Sequence, residues 1–112
     1  MSSQEKPAYR RISAAEAVSL LAGDPAPTVF DVRDMASFRK GHLAGAAQLA
    51  EDRFLLWQKR LDKSAPVLIY CYHGNASQVF AQMFVDFRFS NVYSVDGGYE
   101  ALAVVAADRL AA

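Results

Sequence analysis

The sequence predicts an α/β domain built on a mainly parallel sheet of about five strands, with helices on both faces. Three observations carry that expectation. Short runs of β-branched and apolar residues alternate along the chain with amphipathic stretches of helical period, the pattern of strand–helix–strand units joined by right-handed crossovers. Two of the runs are suited to the sheet interior: 67–70 is unbroken apolar sequence, and 28–32 carries apolar residues on both faces, as a strand covered on both sides does. Glycine-bearing turns, Cys71-Tyr72-His73-Gly74 and Asp96-Gly97-Gly98, follow two of the runs and lead into the next amphipathic stretch.

Residues 1–8 are polar, contain a proline and lack periodicity, so they read as a loose N-terminal arm ahead of one domain over 9–112. Tyr9 to Ile12 suits a short edge strand. Ser13-Ala14-Ala15-Glu16 matches the capping box, in which the serine oxygen accepts from a free backbone N–H and the glutamate reaches back. Ala14, Ala17, Val18 and Leu21 then recur at helical spacing until Gly23-Asp24-Pro25 ends the helix. Thr28-Val29-Phe30-Asp31-Val32 is a central strand with charge at its C-terminal edge. Asp34 caps a short helix carrying Phe38, Gly41 to Gly45 is a turn, and Ala46 to Leu49 is a short strand of small residues.

Glu51 to Leu61 has Phe54, Trp57 and Leu61 on one side of a helix whose last turn, with Lys59 and Arg60, suits the negative end of its dipole. Strand 67–70 and the Cys71 loop come next. From about Ser77 to Phe87 a helix places Val79, Phe80, Met83, Phe84 and Phe87 on its core face and Gln78, Gln82 and Asp86 on another. Val92 to Val95 is the last strand. The Asp96-Gly97-Gly98 turn leads into a helix from Tyr99 to the end, with Tyr99, Leu102, Ala103, Ala106 and Leu110 as its apolar stripe.

With 112 residues, 53% of them hydrophobic, there is material for one packed core and none for a second domain. Twelve basic and twelve acidic residues cancel, which disfavours nucleic acid or an anionic membrane as the partner. The N-terminus lacks the apolar core of a signal peptide and no apolar run is long enough to span a bilayer, so a soluble, cytoplasmic protein with no membrane partner is expected. One cysteine rules out an internal disulfide. With it and two histidines, a zinc site lacks ligands, and no metal is expected.

Cys71 stands at the end of a strand, before a loop that opens a helix. Backbone N–H groups and the helix dipole favour an anion there, and Gly74 permits a turn that aims successive N–H groups at the sulfur. Such a nest lowers the thiol pKa and stabilises a thiolate or a persulfide. A buried cysteine acting as a small hydrophobe is the plainer alternative. Cysteine loops serve both sulfur transfer and phosphate-ester hydrolysis. A cysteine phosphatase needs an arginine fork on two phosphate oxygens at the position that Ser77 occupies here, and 71–87 contains no arginine. The phosphatase reading and its arsenate-reducing variant are therefore disfavoured.

Cys71-Tyr72-His73-Gly74-Asn75 resembles the active-site loop of the single-domain rhodaneses, the small bacterial GlpE-type thiosulfate sulfurtransferases in particular. Phe30-Asp31-Val32-Arg33-Asp34 with Phe38 and Gly41 to Ala46, and Tyr93 to Ala101 with its Asp96-Gly97-Gly98, agree in order and spacing, so that the likeness runs from about residue 9 to 102. The resemblance implies a rhodanese-like fold and a two-step reaction without cofactor. The Cys71 thiolate takes the outer sulfur of thiosulfate, a small anionic donor, and the persulfide passes it to cyanide, a thiol or a protein acceptor. It implies substrate binding by the loop residues Tyr72, His73, Gly74, Asn75, Ala76 and Ser77, whose N–H groups hold the persulfide, with Asp31 and Arg33 as supporting groups.

The loop has no lysine or arginine, which leaves Arg33 as the nearest charge for an anionic donor and His73 as the loop side chain able to become cationic near neutral pH. His42 reads as structural, bonded within its own turn. Ala76 replaces a hydroxyl residue common at that place in the family, and Leu102 a tryptophan. The alternatives to a thiosulfate sulfurtransferase are a persulfide carrier fed by another protein and a partner-binding regulatory module, a class that commonly lacks the cysteine.

Overall fold

The computed structural model describes residues 8–112; apart from Ala8, the expected N-terminal arm lies outside the described residues. Five strands form one sheet in the order β1-β6-β5-β2-β4: β1 (Arg10–Ile12), β2 (Thr28–Asp31), β4 (Ala47–Gln48), β5 (Val67–Tyr70) and β6 (Val92–Val95). Every pairing in it is parallel. The central strand β5 is wholly buried, and its period-2 alternation sends Val67 and Ile69 to one face and Leu68 and Tyr70 to the other.

On the first face α3 (Phe54–Arg60) and α4 (Ala76–Asp86) cover the sheet. The Phe84 ring there lies 5.5 Å from Phe30, 4.8 Å from Phe54 and 5.0 Å from Phe89. Burying a side chain of this size contributes roughly 1.5–3 kcal/mol. On the second face α1 (Ala14–Leu21) and α5 (Gly98–Val105) pack through Ala14, Ala17 and Leu102, with Ala106 just past the end of α5, against Val29, Leu68 and Val95. The capping box that starts α1 is complete: Glu16 N–H donates to Ser13 Oγ at 3.1 Å and Ser13 N–H to Glu16 Oε1 at 2.8 Å.

A short helix, α2 (Met35–Lys40), follows β2 and is capped by Asp34, which accepts from Ser37 N–H at 2.8 Å. His42 lies flat on Phe38, 3.8 Å between ring centroids, with Nδ1 2.7 Å from the Phe38 carbonyl, so it holds its own turn together. Among the described residues no helix is long and apolar enough to cross a membrane.

Four expectations from the sequence need correcting. The Gly41–Gly45 turn contains a strand, β3 (His42–Leu43), which pairs antiparallel with β7 (Leu110–Ala111). The final helix accordingly ends at Val105, passes through a 3-10 turn at Ala107–Arg109 and becomes that strand, so Leu110 is a strand residue and no part of a helical stripe. The core face of α4 is rotated from the expected one. Its buried residues are Ser77, Ala81, Phe84 and Val85, while Val79 is 63% and Phe87 39% exposed. The small side chains of Ser77 and Ala81 let the helix lie close to the sheet, and small residues weigh little in a reading led by bulky apolar ones. The 51–61 helix also opens as a 3-10 turn, Glu51–Arg53.

Candidate active site

Parallel register brings the C-terminal ends of β2 and β5 side by side, Asp31 opposite Tyr70, so the chain leaving β5 at Cys71 passes next to the Asp31–Arg33 segment. In open parallel sheets this rim is where sites form. Cys71 is 3% exposed and lies at the wall of a cavity of about 170 Å³ lined also by Tyr72, His73, Asn75 and Ala76.

The sulfur is surrounded by donors. Gly74 N–H points at Sγ from 3.1 Å, and Ser77 Oγ lies 3.3 Å away on its buried side. Gly74 has φ +105°, a conformation that strains any side chain, and a Cβ there would stand 3.1 Å from Gly97 N and 3.2 Å from the Val95 carbonyl. Helix α4 begins without a side-chain cap: the Asn75 side chain takes none of its first N–H groups, and the Asn75 carbonyl accepts from Gln78 N–H at 3.1 Å. Burial pushes the Cys71 thiol up, but the Ser77 hydroxyl and the N–H groups of Ser77, Gly74 and His73 outweigh it, and the thiol titrates below its ordinary value.

Ser77 does not act alone. Its Oγ is 2.8 Å from Ser94 Oγ on β6, and both serines are fully buried. Sulfur and two hydroxyls thus form a line with two contacts. With Cys71 protonated, three protons serve those two contacts. As a thiolate, Cys71 accepts from Ser77, which accepts from Ser94, and every proton in the line is used. The line therefore favours the anion.

The loop is held from outside by α5. Tyr99 N–H donates to the Cys71 carbonyl at 2.7 Å, and a Cβ on Gly98 would sit 2.5 Å from that oxygen and from the Tyr72 carbonyl group. Gly98 also has φ +56°. Gly98→Ala is expected to lower stability by at least about 1 kcal/mol from the backbone alone and to displace the Cys71–Tyr72 peptide. Urea unfolding and thiol alkylation together read both effects.

Asp31 and Arg33 brace the rim. Asp31 is fully buried and Arg33 5% exposed; Nη2 donates to Oδ2 at 2.7 Å, Nε to both carboxylate oxygens at 3.1 Å, and Arg33 N–H to Oδ1 at 2.9 Å. Nη2 also reaches the Gly41 carbonyl at 2.5 Å, and the guanidinium lies 3.8 Å from the Tyr99 ring centre. Arg33 is engaged on all these sides and does not line the Cys71 cavity.

Tyr72, 44% exposed, donates its hydroxyl to Asp34 and sits 2.9 Å from Ser37 Oγ, tying the loop to α2. The Tyr72 hydroxyl and Ser37 N–H hold the Asp34 carboxyl down to about 2. His73 faces solvent, with Nδ1 3.7 Å from Glu100 Oε1. The structure thus brings Cys71, His73 N–H, Gly74 and Ser77 together around the sulfur, places the Tyr72, Asn75 and Ala76 groups on the cavity wall, and sets Asp31 and Arg33 beneath them. Ser94, Tyr99, Gln78 and Tyr9 belong to the same constellation and were not singled out as site residues in the sequence. Spacing gives no signal for them, since three come from distant elements and Gln78 reads as part of a polar helix face.

Comparison with known proteins identifies the family and the fold. The family model described as "Rhodanese-like domain" matches residues 13–104. The chain is 41% identical over 92 residues to the thiosulfate sulfurtransferase GlpE of Pseudomonas entomophila, covering 82% of this chain and 83% of that protein. It is 39% identical to the thiosulfate sulfurtransferase GlpE of Tolumonas auensis, covering 82% and 86%. Among solved structures, the rhodanese-like domain of an Anabaena protein superposes with a TM-score of 0.73 at 25% identity, covering 90% of this chain and 76% of that one.

Proposed function

Since the chain belongs to the rhodanese-like domain family, we propose that it is a thiosulfate sulfurtransferase working through a persulfide on Cys71. The observation that carries the reading is the Cys71 sulfur held between Gly74 N–H and the Ser77 hydroxyl at the wall of a small cavity. In the first step the thiolate attacks the outer sulfur of thiosulfate. A Cys71 S–S bond forms, the S–S bond of thiosulfate breaks, and sulfite leaves with the electron pair. In the second step cyanide or an acceptor thiolate attacks the outer persulfide sulfur and Cys71 leaves as thiolate.

Each half-step begins and ends with a negative sulfur, and the preorganised N–H and O–H donors keep Cys71 ionised and hold the persulfide anion, as an oxyanion hole holds an oxygen anion. No metal or organic cofactor takes part in these steps. The reading sets the reaction in the cytoplasm, where an unpaired thiol stays reduced.

A second reading rests on the same loop. Among the described residues no lysine or arginine lines the Cys71 cavity, and Arg33 is engaged with Asp31 and Gly41. A carrier that receives its sulfur from another protein's persulfide needs no cation for a free donor. Intact-mass measurement after incubation with thiosulfate, followed by cyanide and assay of thiocyanate, tests the main reading. One added sulfur atom, discharged by cyanide, supports it. Loading by a protein persulfide alone transfers the assignment to the carrier, and hydrolysis of an aryl phosphate would overturn both.

Ser77→Ala removes the hydroxyl donor and strands Ser94. The pH midpoint of Cys71 alkylation is expected to rise by about half a unit to one unit, the worth of one charge-assisted hydrogen bond partly replaced. An unchanged midpoint would show that the hydroxyl line does not hold the anion.

A further inference from the structure

The donors around Cys71 are effective only while the loop keeps them aimed inward, and N–H dipoles converging on one point repel each other when the sulfur is neutral. The loop must be fixed through its outward-facing carbonyls. Tyr99 N–H takes the Cys71 carbonyl at 2.7 Å. The Gly74 carbonyl is taken by a side chain: Gln78 Nε2 donates to it at 2.8 Å. The other end of that amide is bound as well, since Tyr9, just ahead of β1, donates its hydroxyl to Gln78 Oε1 at 2.9 Å. Tyr9 and Gln78 are both partly buried, and the Tyr9 ring packs against the aromatic core.

We propose that Gln78, oriented by Tyr9, is a positioning residue that sets the Gly74 backbone and so keeps Gly74 N–H aimed at the Cys71 sulfur. Three features of the geometry lead there. Gly74 is the loop residue whose N–H contacts Sγ at 3.1 Å, and its φ of +105° is reached easily only by glycine, the residue whose backbone is also freest to leave it. An anchor on its carbonyl restricts the rotation that would carry its N–H away. The amide of Gln78 cannot turn over without losing Gly74, because the Gly74 carbonyl accepts only and therefore faces the amide nitrogen, which leaves the amide oxygen to accept from Tyr9. Tyr9 acts through Gln78, from the segment that enters β1, and touches no loop atom itself among the described hydrogen bonds.

The inference rests on the sulfur chemistry proposed above, but its test does not need sulfur transfer. The rate of Cys71 alkylation by iodoacetamide, followed from pH 5 to 10, reports the thiolate directly. In Gln78→Leu the midpoint is expected to rise by roughly half a pH unit or more, in Tyr9→Phe by a smaller amount in the same direction, and in the double variant by no more than in Gln78→Leu. Circular dichroism and the melting temperature of each variant are measured alongside.

An unchanged midpoint in both single variants overturns the proposal, as does a Tyr9→Phe shift that persists in full when Gln78 is already leucine. Tyr9→Phe deletes one hydroxyl and keeps the ring in the core. Should Gln78→Leu fail to fold, the Tyr9→Phe midpoint decides the matter alone: a rise supports the coupling and no change overturns it. A normal shift in protein that forms no persulfide would sink the sulfurtransferase reading and leave this one standing.

Discussion

Cys71→Ser is expected to remove sulfur transfer altogether, with thiocyanate formation falling by on the order of 10⁴ or to the blank rate. Serine cannot form a persulfide, and its hydroxyl is far too weakly acidic to supply the anion that the loop is built to hold. The fold should survive. Serine is smaller, sits at a position 3% exposed, and can exchange hydrogen bonds with Gly74 N–H and Ser77 Oγ as the thiol does. Intact mass after thiosulfate should show no added sulfur, while urea unfolding stays within about 1 kcal/mol of the parent. Persulfide or thiocyanate at the parent level in this variant would refute the mechanism.

The largest effect on stability is expected from Asp31→Leu. Arg33 would then remain 5% exposed with no carboxylate, and a guanidinium cannot discard its charge by losing a proton. Breaking a buried pair by removing one partner costs roughly 3–5 kcal/mol, readable as a shift of the urea midpoint. Because Arg33 also holds the Gly41 carbonyl and stacks on Tyr99, sulfur transfer should fall with it. The double variant Asp31→Leu/Arg33→Met, with no stranded charge, is expected to recover more than half of the lost stability. A single-variant loss below about 1 kcal/mol would mean that water reaches the guanidinium and the pair is no brace.

The strands and helices that form the parallel sheet could be read from the chain because each carries its own signal. Val67 to Tyr70 are consecutive apolar residues, Ser13 and Glu16 form a capping box, and Asp96-Gly97-Gly98 breaks the pattern between β6 and α5. What could not be read depends on partners far away in sequence. β3 and β7 have two residues each, too few for a period, and exist only because His42 meets Ala111 and Leu43 meets Leu110. The face of α4 does not follow from the pattern, because Ser77 and Ala81 contact the sheet through smallness, which an apolar pattern does not register.

The active loop follows the same division. Cys71, Gly74 and Ser77 stand within seven consecutive residues, from the end of β5 into α4, and are legible together. Arg33 was legible as a support, but its burial against Asp31 and Tyr99 is a tertiary fact, and with it goes its suitability as a docking charge. Ser94 and Tyr9 reach the site from β6 and from ahead of β1, and nothing local marks a hydroxyl that ends beside a sulfur or an amide.

The order of strands also governs when this protein can become itself during synthesis. β1 is made some eighty residues before β6, its neighbour in the sheet among the described residues, with Arg10 beside Tyr93. A chain emerging at about 5–20 residues per second therefore carries β1 unpaired for several seconds, until almost the whole domain has left the ribosome. Pairings so distant in sequence also slow folding once the chain is complete. The exposed interval favours capture by chaperones that bind extended segments, and a ribosome stalled before residue 92 would present a nascent chain in which neither Ser94 nor the α5 support for Cys71 yet exists. Such a chain lacks the Ser94 hydroxyl behind Ser77 and the Tyr99 N–H on the Cys71 carbonyl, two of the contacts that order the loop.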